Sequence, residues 1–159
     1  MILHPLLTKQ DTIQLNGLVE GRPTFPLAFE IYTADISEEI LKGLLDKGHT
    51  IPTVINELPA HVLQYVDDLL NNADDYTQMK PIVRELCIYC HKYGIIIHQT
   101  KTFLIHFYGP KEPEGKLSLH TITDDKGTST EHPYPIPQQN SVCYLGYHTD
   151  NQLSCKAML

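Results

Sequence analysis

The stretch that decides the fold is His61-Val-Leu-Gln-Tyr65-Val-Asp67-Asp68-Leu-Leu70, in which two adjacent aspartates separate two short apolar runs. Two apolar runs divided by two turn-forming residues predict a β-hairpin. Aspartate tolerates the backbone conformations of a tight hairpin turn, although less readily than an Asn-Gly pair does. We therefore expect residues 65–70 to form the tip of a hairpin, with both aspartates exposed.

The paired carboxylates of Asp67 and Asp68 are the main candidates for chemistry in this chain. Like charges that lie close together repel each other, so a cation would stabilise the pair. Hard divalent cations such as Mg²⁺ prefer oxygen ligands and suit this arrangement. The alternative is an ordinary solvated acidic turn. For an Asp-Asp pair considered without its flanking strands, this interpretation is favoured over a metal site.

Helices are predicted on both sides of this hairpin. Upstream, residues 17–26 contain two Gly and two Pro and predict a shaped loop, and residues 27–45 predict a largely buried helix that Gly48 closes. Downstream, Asp74 or Asp75 can cap a helix whose apolar residues repeat at spacings of three and four and which ends at Gly94. Pro81 is expected at the start or in the first turn of that helix.

Short strands and turns are predicted for the remainder of the chain. Residues 95–97, 103–108 and 142–147 have the composition of strands. A long Pro- and Gly-rich excursion covers residues 109–139, with a hairpin predicted around residues 124–127. Helix, hairpin, helix and strands in this order predict an α+β fold, with an antiparallel sheet and helices on one of its faces.

Composition and charge limit the classes of function. The chain has 159 residues, which is the length of one domain, and its 42% of hydrophobic residues suffice for a core. Its formal net charge is −7, whereas a stand-alone nucleic-acid-binding protein is usually basic. No run approaches the roughly 18 apolar residues of a membrane span, and the first residues lack the features of a signal peptide. We therefore expect an intracellular protein that does not bind membranes.

A second candidate site is Cys87-Ile-Tyr-Cys90-His91. Its spacing matches the c-type haem attachment pattern and also half of a zinc site. Cys143 and Cys155 are too far apart in sequence to complete a zinc quartet cleanly, and Cys87 and Cys90 both fall on the apolar stripe of the predicted helix. We therefore expect both to be buried core residues without a metal. Zinc or haem binding is the open alternative.

Four segments of the chain, taken in order, resemble consecutive motifs of reverse transcriptases, most like those of non-LTR retrotransposons and group II introns. They are Gly17-Leu-Val-Glu20-Gly21-Arg-Pro-Thr-Phe25-Pro26, Tyr65-Val-Asp67-Asp68, Gly94-Ile-Ile-Ile-His98-Gln-Thr-Lys101-Thr102 and Tyr144-Leu145-Gly146. Glu20 stands where the family has Gln, Phe25 where it has Ser, and His98 where it has Asn. The resemblance implies a partial polymerase palm domain in residues 17–150, between an N-terminal remnant in residues 1–16 and a C-terminal tail in residues 151–159.

The resemblance implies an RNA-directed DNA polymerase that uses two Mg²⁺ or Mn²⁺ ions. Asp67 would be the principal metal ligand from this chain, and Asp68 would assist it. Tyr65 would pack near the primer-terminal base pair. Lys101 would offer a proton or a positive charge to the pyrophosphate.

Three further positions are implied to lie near the template and primer. Gly21 would allow the backbone to approach the nascent base pair or the template closely, because a side chain would clash there. Glu20 would lie close to the template, where its negative charge is unfavourable. Gly146 would shape the turn that grips the primer.

The departures from the family also predict inactivity of the isolated chain. The family's first metal-binding aspartate precedes the Gly-rich segment, and residues 1–16 contain no match to it. The fingers and thumb regions are likewise expected to be missing, so the template, primer and dNTP would be bound only in a complete enzyme. The alternatives are a non-enzymatic retroelement remnant, a recruited interaction module, or a Cys/His metal or haem protein.

Overall fold

The computed structural model of the protein describes residues 24–50, 54–55, 58–108, 117–123 and 133–157. Its helices are α1 (Phe25–Tyr32), α2 (Ile36–Asp46) and α3 (Tyr76–Lys92), and a 3₁₀ turn covers Gln99–Lys101. Its strands are β1 (Val54–Ile55), β2 (Leu58–Pro59), β3 (Val62–Tyr65), β4 (Asp68–Asn71), β5 (Ser118–Leu119), β6 (Tyr134–Pro135), β7 (Ser141–Tyr144), β8 (Tyr147–Asp150) and β9 (Cys155–Ala157).

All of these strands pair antiparallel with a neighbour. Within the described ranges they form four small sheets, β1-β2, β3-β4, β5-β6 and β7-β8-β9. The predicted α+β fold class is therefore confirmed. No helix in the described ranges is long and apolar enough to cross a membrane.

The single helix predicted over residues 27–45 is wrong, because the chain bends between α1 and α2. The Thr33 hydroxyl donates a 2.9 Å hydrogen bond to the Phe29 carbonyl, and the Ile36 amide donates to the Thr33 carbonyl at 3.1 Å. Threonine and aspartate side chains compete with helical hydrogen bonding, so both favour helix ends. Asp35 stabilises this bend because its carboxylate accepts hydrogen bonds from Tyr89 of α3 and from Tyr93, which directly follows α3.

Helices α2 and α3 both end with a glycine in the left-handed region, as the sequence predicts. Gly48 has a φ of 75° and Gly94 a φ of 64°. In each case the amide after the glycine bonds back into the last turn, His49 to the Leu44 carbonyl at 3.0 Å and Ile95 to the Cys90 carbonyl at 2.8 Å. This is the Schellman arrangement, which a residue with a Cβ adopts only with strain.

Helix α3 also begins after a capping aspartate, as the sequence predicts. The carboxylate of Asp75 accepts a 2.8 Å hydrogen bond from the Gln78 amide, so Asp75 is the N-cap. Pro81 lies inside the helix and not in its first turn, which corrects its expected position. Because α3 begins at Tyr76, Pro81 occupies the second turn, where it removes one backbone hydrogen bond.

The central helix α3 separates two apolar clusters. The first includes residues of α2, β3 and α3, and its buried members are Ile36, Ile40, Leu44, Val62, Ile82, Leu86, Tyr89, Cys90 and Ile95. The second joins the other side of α3 to β5 and its neighbours, and its buried members are Val83, Cys87, Leu117, Leu119, Ile122 and Ile136. Because α2 and β3 pack on one side of α3, this helix anchors the hairpin that begins with β3.

Two predicted strands are absent from the described residues. Residues 95–98 have no regular structure, and residues 103–108 contain only an isolated bridge between Leu104 and Gln138. The isoleucines after Gly94 suggested a strand, but Ile95 is buried in the first cluster and Ile97 packs against both clusters. Packing into the clusters therefore accounts for Ile95 and Ile97 without a neighbouring strand, whereas Ile96 is 64% exposed.

The C-terminal region contains more turns than expected. The predicted hairpin tip at residues 124–127 lies outside the described residues, although β5 and β6 on either side of it pair antiparallel. The single strand predicted over residues 142–147 is wrong, because β7 and β8 form a hairpin with Tyr144 opposite Tyr147. Strand β9 pairs with β8 and lies in the segment that the sequence assigned to the tail.

Candidate metal-binding hairpin

Strands β3 and β4 form the predicted hairpin, and its two faces differ in burial. The outer-face pairs are Tyr65 with Asp68 and Leu63 with Leu70, and the inner-face pairs are Gln64 with Leu69 and Val62 with Asn71. All four outer side chains are exposed, whereas the inner ones are buried or half-buried. Val62 and Leu69 join the first apolar cluster, so the helices anchor the stem of the hairpin and leave its outer face exposed.

The turn consists of Val66 and Asp67, so the expected Asp67-Asp68 turn is wrong by one residue. Asp68 is the exposed first residue of β4, whereas Asp67 is half-buried and not exposed as predicted. Val66 has a φ of 54°, and hairpin turns with a positive φ at this position match the twist of the strands. Turn preference favours two aspartates, but the packing of the inner face sets the register.

The two carboxylates occupy one end of the hairpin, Asp67 in the turn and Asp68 at the start of β4. Within the described ranges no third His, Cys, Asp or Glu side chain joins them to complete a metal-binding group. Two carboxylates still suit Mg²⁺, because this ion usually keeps several waters and binds one or two protein carboxylates together with substrate phosphates.

A second hairpin lies within electrostatic reach of the first. Its turn consists of Leu145 and Gly146, whose φ values are 50° and 80°. Burial raises the pKa of the half-buried Tyr144 phenol, and the Asp68 carboxylate raises this pKa further. The charge of Asp68 therefore acts on the residue that immediately precedes the second turn.

The remaining predicted site residues lie elsewhere. Lys101 is exposed at the end of the 3₁₀ turn, on a different element from the aspartates. Glu20 and Gly21 lie outside the described residues. The structure therefore brings together Tyr65, Asp67 and Asp68 on one hairpin, with the second hairpin near Asp68.

The cysteines of the second candidate site are core residues, as predicted. Cys87 is 4% exposed and Cys90 is 3% exposed. Burial raises the pKa of both thiols, to about 12 for Cys90, where the nearby Cys87 adds to the effect. His91, in contrast, is exposed. Protonated buried thiols are poor metal ligands, because the thiolate is the binding form. The absence of a bound metal stays a prediction.

Sequence reasoning missed the polar side chains that support the turn of the candidate hairpin. Gln64 lies on its inner face and donates a 3.0 Å hydrogen bond to the Val66 carbonyl, inside the turn. The strand alternation that places Val62 inside also places Gln64 inside, so a buried polar residue was detectable there. Its partners were not detectable, since one of them lies on the bend between α1 and α2.

Comparison with known proteins agrees with this arrangement. The family model described as reverse transcriptase (RNA-dependent DNA polymerase) matches residues 4–149. No curated protein and no solved structure matches the chain significantly. The matched range contains α1, α2, α3 and the first hairpin, and it covers the second hairpin except for its last residue, Asp150. The chain therefore belongs to the reverse transcriptase family, a family of RNA-directed DNA polymerases.

Proposed function

We propose that this chain carries part of a two-metal nucleotidyl-transfer site, with Asp67 as the principal ligand of Mg²⁺ or Mn²⁺ and Asp68 as its assistant. The observation that carries the proposal is the placement of two adjacent carboxylates at one end of a hairpin whose stem packs into the first apolar cluster. In such a site one ion activates the primer hydroxyl and the other stabilises the leaving pyrophosphate.

The other residues act on the nucleic acid and on the leaving group. Tyr65 is exposed opposite Asp68, where its ring can pack against the primer-terminal base pair. Lys101 supplies a positive charge to the pyrophosphate. Gly146 shapes the primer-gripping turn, and its φ of 80° supports a requirement for glycine there.

The proposed template contacts of Glu20 and Gly21 rest on the motif alone. The narrower likeness to the enzymes of non-LTR retrotransposons and group II introns also stays a prediction of the motifs. A template, a primer and a dNTP are the partners that this function requires.

We further propose that the 159-residue chain does not polymerise DNA alone. The positions of two metal ions are fixed only when carboxylates from more than one structural element bind them. This hairpin is one such element, and it contributes Asp67 and Asp68. Correct positioning contributes on the order of 7–11 kcal/mol to reactions of this type. Losing even about 4 kcal/mol lowers a rate roughly a thousandfold. The net charge of −7 also repels a primer–template.

Metal binding is tested by titrating the purified chain with Mn²⁺ and following the paramagnetic broadening of its amide signals by NMR. We expect broadening to centre on residues 65–68 and to disappear in Asp67→Asn, with a smaller loss in Asp68→Asn. The matched control is Asp46→Asn, which neutralises an exposed aspartate at the end of α2. Broadening that survives Asp67→Asn would refute the metal site.

Inactivity is tested by primer extension with the same chain, a primer–template, dNTPs and either metal ion. We expect no template-dependent incorporation. Incorporation that Asp67→Asn abolishes would disprove the inactivity and support the metal site. Incorporation that Asp67→Asn leaves intact would have to come from another source, such as a contaminating polymerase.

A further inference from the structure

The backbone of Val66 is strained at the point where the metal-binding hairpin turns. Its φ of 54° lies in the left-handed region, which β-branched residues very seldom adopt. Strain of this kind persists only where the surrounding structure imposes it. The groups that contact Val66 therefore determine the geometry of the turn.

The side chain of Gln64 supplies such a contact. Its amide nitrogen donates one hydrogen bond to the Val66 carbonyl at 3.0 Å and another to the Thr33 hydroxyl oxygen. A carbonyl oxygen only accepts hydrogen bonds, so the amide nitrogen of Gln64, and not its oxygen, must face Val66. An amide group has two donor hydrogens, and both are used here.

Thr33 connects this contact to the protein interior. Thr33 is 1% exposed, and its hydroxyl proton is donated to the Phe29 carbonyl at 2.9 Å. Its oxygen is therefore left to accept from Gln64. Phe29 is itself 2% exposed, so the chain of hydrogen bonds runs from this one buried residue of α1 through the helix bend to the hairpin turn.

The bond to Val66 acts directly on Asp67. The Val66 carbonyl belongs to the peptide unit that joins Val66 to Asp67, and a planar peptide unit rotates as one body. A hydrogen bond that fixes the carbonyl therefore also fixes the direction in which the backbone enters Asp67.

We propose that Gln64, supported by Thr33, is a positioning residue that orients Asp67 for metal binding. This inference rests on the proposed function of Asp67. Without the hydrogen bonds of Gln64, the backbone at Val66 relaxes toward an unstrained conformation, and the direction of the Asp67 side chain changes relative to Asp68. Residues that support metal ligands in this way affect metal affinity on the order of 10- to 100-fold.

The test compares Gln64→Met with wild type in the 159-residue chain, using Mn²⁺ as the probe. Methionine keeps the length and neutrality of glutamine but removes both donors. The matched control is Gln139→Met, the same exchange at an exposed position. Two signals are measured by NMR: the Mn²⁺ broadening of residues 65–68, and the strong amide-to-Hα contact within Val66 that a positive φ produces.

We expect Gln64→Met to weaken the apparent Mn²⁺ affinity about tenfold and to abolish the Val66 signal. Gln139→Met should change neither. Wild-type Mn²⁺ affinity in a folded Gln64→Met protein would overturn the inference. If Asp67→Asn leaves the broadening intact, the proposed metal site itself is wrong, whatever Gln64→Met does.

A second pair of variants decides the matter if Gln64→Met does not fold. Thr33→Val keeps the shape of the side chain without the hydroxyl, whereas Thr33→Ser keeps the hydroxyl without the methyl group. We expect Thr33→Val to weaken Mn²⁺ binding and Thr33→Ser to retain it. Equal loss in both variants would mean that packing at the bend is responsible, and the inference would fall.

Discussion

The Tyr89 phenol on α3 donates a 2.7 Å hydrogen bond to the Asp35 carboxylate at the bend between α1 and α2. The Tyr93 phenol donates to the other carboxylate oxygen at 3.2 Å. Tyr89 is 2% exposed, so its bond to a charged group is shielded from water. These contacts fix the bend to the central helix, and the same bend carries Thr33, which supports the hairpin turn through Gln64.

Tyr89→Phe should destabilise the protein because it removes this bond and leaves part of the Asp35 carboxylate unsatisfied. Hydrogen bonds to charged groups contribute about 1.5–3 kcal/mol, so we expect the free energy of unfolding to fall by about that amount. Chemical denaturation followed by circular dichroism measures it. Tyr147→Phe, the same change at a residue that is 57% exposed, should have almost no effect. Equal losses in the two variants would contradict the importance of the Asp35 bond.

Two ion pairs between α2 and α3 should differ in their contribution to stability. Lys47 contacts the carboxylate of Glu85, which is 6% exposed, whereas Lys92, which is 54% exposed, contacts Glu39, which is 36% exposed. Lys47→Met leaves a buried carboxylate without its cation, and we expect a loss of about 1–3 kcal/mol, since Lys47 itself is partly solvated. Lys92→Met should be nearly neutral.

Thermal denaturation of both lysine variants checks this difference. Glu85→Gln in the Lys47→Met background provides the control, because it removes the unpaired charge and should recover part of the loss. A Lys47→Met protein as stable as Lys92→Met would show that water reaches Glu85.

The pH dependence of stability should reveal the buried His61. His61 is 0% exposed and its Nε2 lies 3.1 Å from the Ser37 carbonyl, so Nε2 carries the proton and Nδ1 has no hydrogen-bond partner among the described residues. Burial lowers the pKa of His61 below its usual value, although the bond to Ser37 partly opposes this.

Because this pKa is lowered on folding, the stability contribution of neutral His61 is present above about pH 6.5 and is lost as the pH falls through the folded-state pKa. The loss can reach about 1.4 kcal/mol per pH unit. Urea denaturation at about pH 7.5 and about pH 5.5 should show a steeper decline in wild type than in His61→Gln. His91→Gln, at an exposed position, should decline like wild type. Identical slopes in wild type and His61→Gln would refute the assignment.

Local signals predicted much of this fold correctly. The Asp75 cap and the glycines Gly48 and Gly94 act within one helical turn, so their effect is visible in the sequence. The same holds for the hairpin stem, because alternating burial of Val62 and its neighbours follows from strand geometry. The burial of Cys87 and Cys90 follows from helical spacing.

The errors arose where distant contacts decide the local structure. The bend at Asp35 depends on Tyr89 and Tyr93, which come much later in the chain. The turn at Val66 depends on Gln64 and on a hydroxyl group from the helix bend. Turn preferences favour Asp67-Asp68 as the central residues, but the inner-face packing of the strands selects a register that places a strained valine in the turn.

The electrostatic coupling between the two hairpins gives a test of the candidate site that does not need polymerase activity. The Asp68 carboxylate, after burial, is a cause of the raised pKa of Tyr144. Asp68→Asn should therefore lower the pKa of the Tyr144 phenol toward its ordinary value, and Asp46→Asn should leave it unchanged. NMR of selectively labelled tyrosine rings measures this pKa directly.

Metal binding should act in the same direction as Asp68→Asn. A divalent cation at Asp67 and Asp68 adds positive charge where a negative charge now opposes ionisation of Tyr144, so saturating Mg²⁺ should lower the Tyr144 pKa in wild type. Mg²⁺ should have little effect on it in Asp67→Asn, because that variant removes the proposed principal ligand. If Mg²⁺ shifts the pKa equally in both proteins, the ion acts by general screening of charge and is not bound at the hairpin. A shift confined to wild type would instead place the cation within electrostatic reach of the turn formed by Leu145 and Gly146.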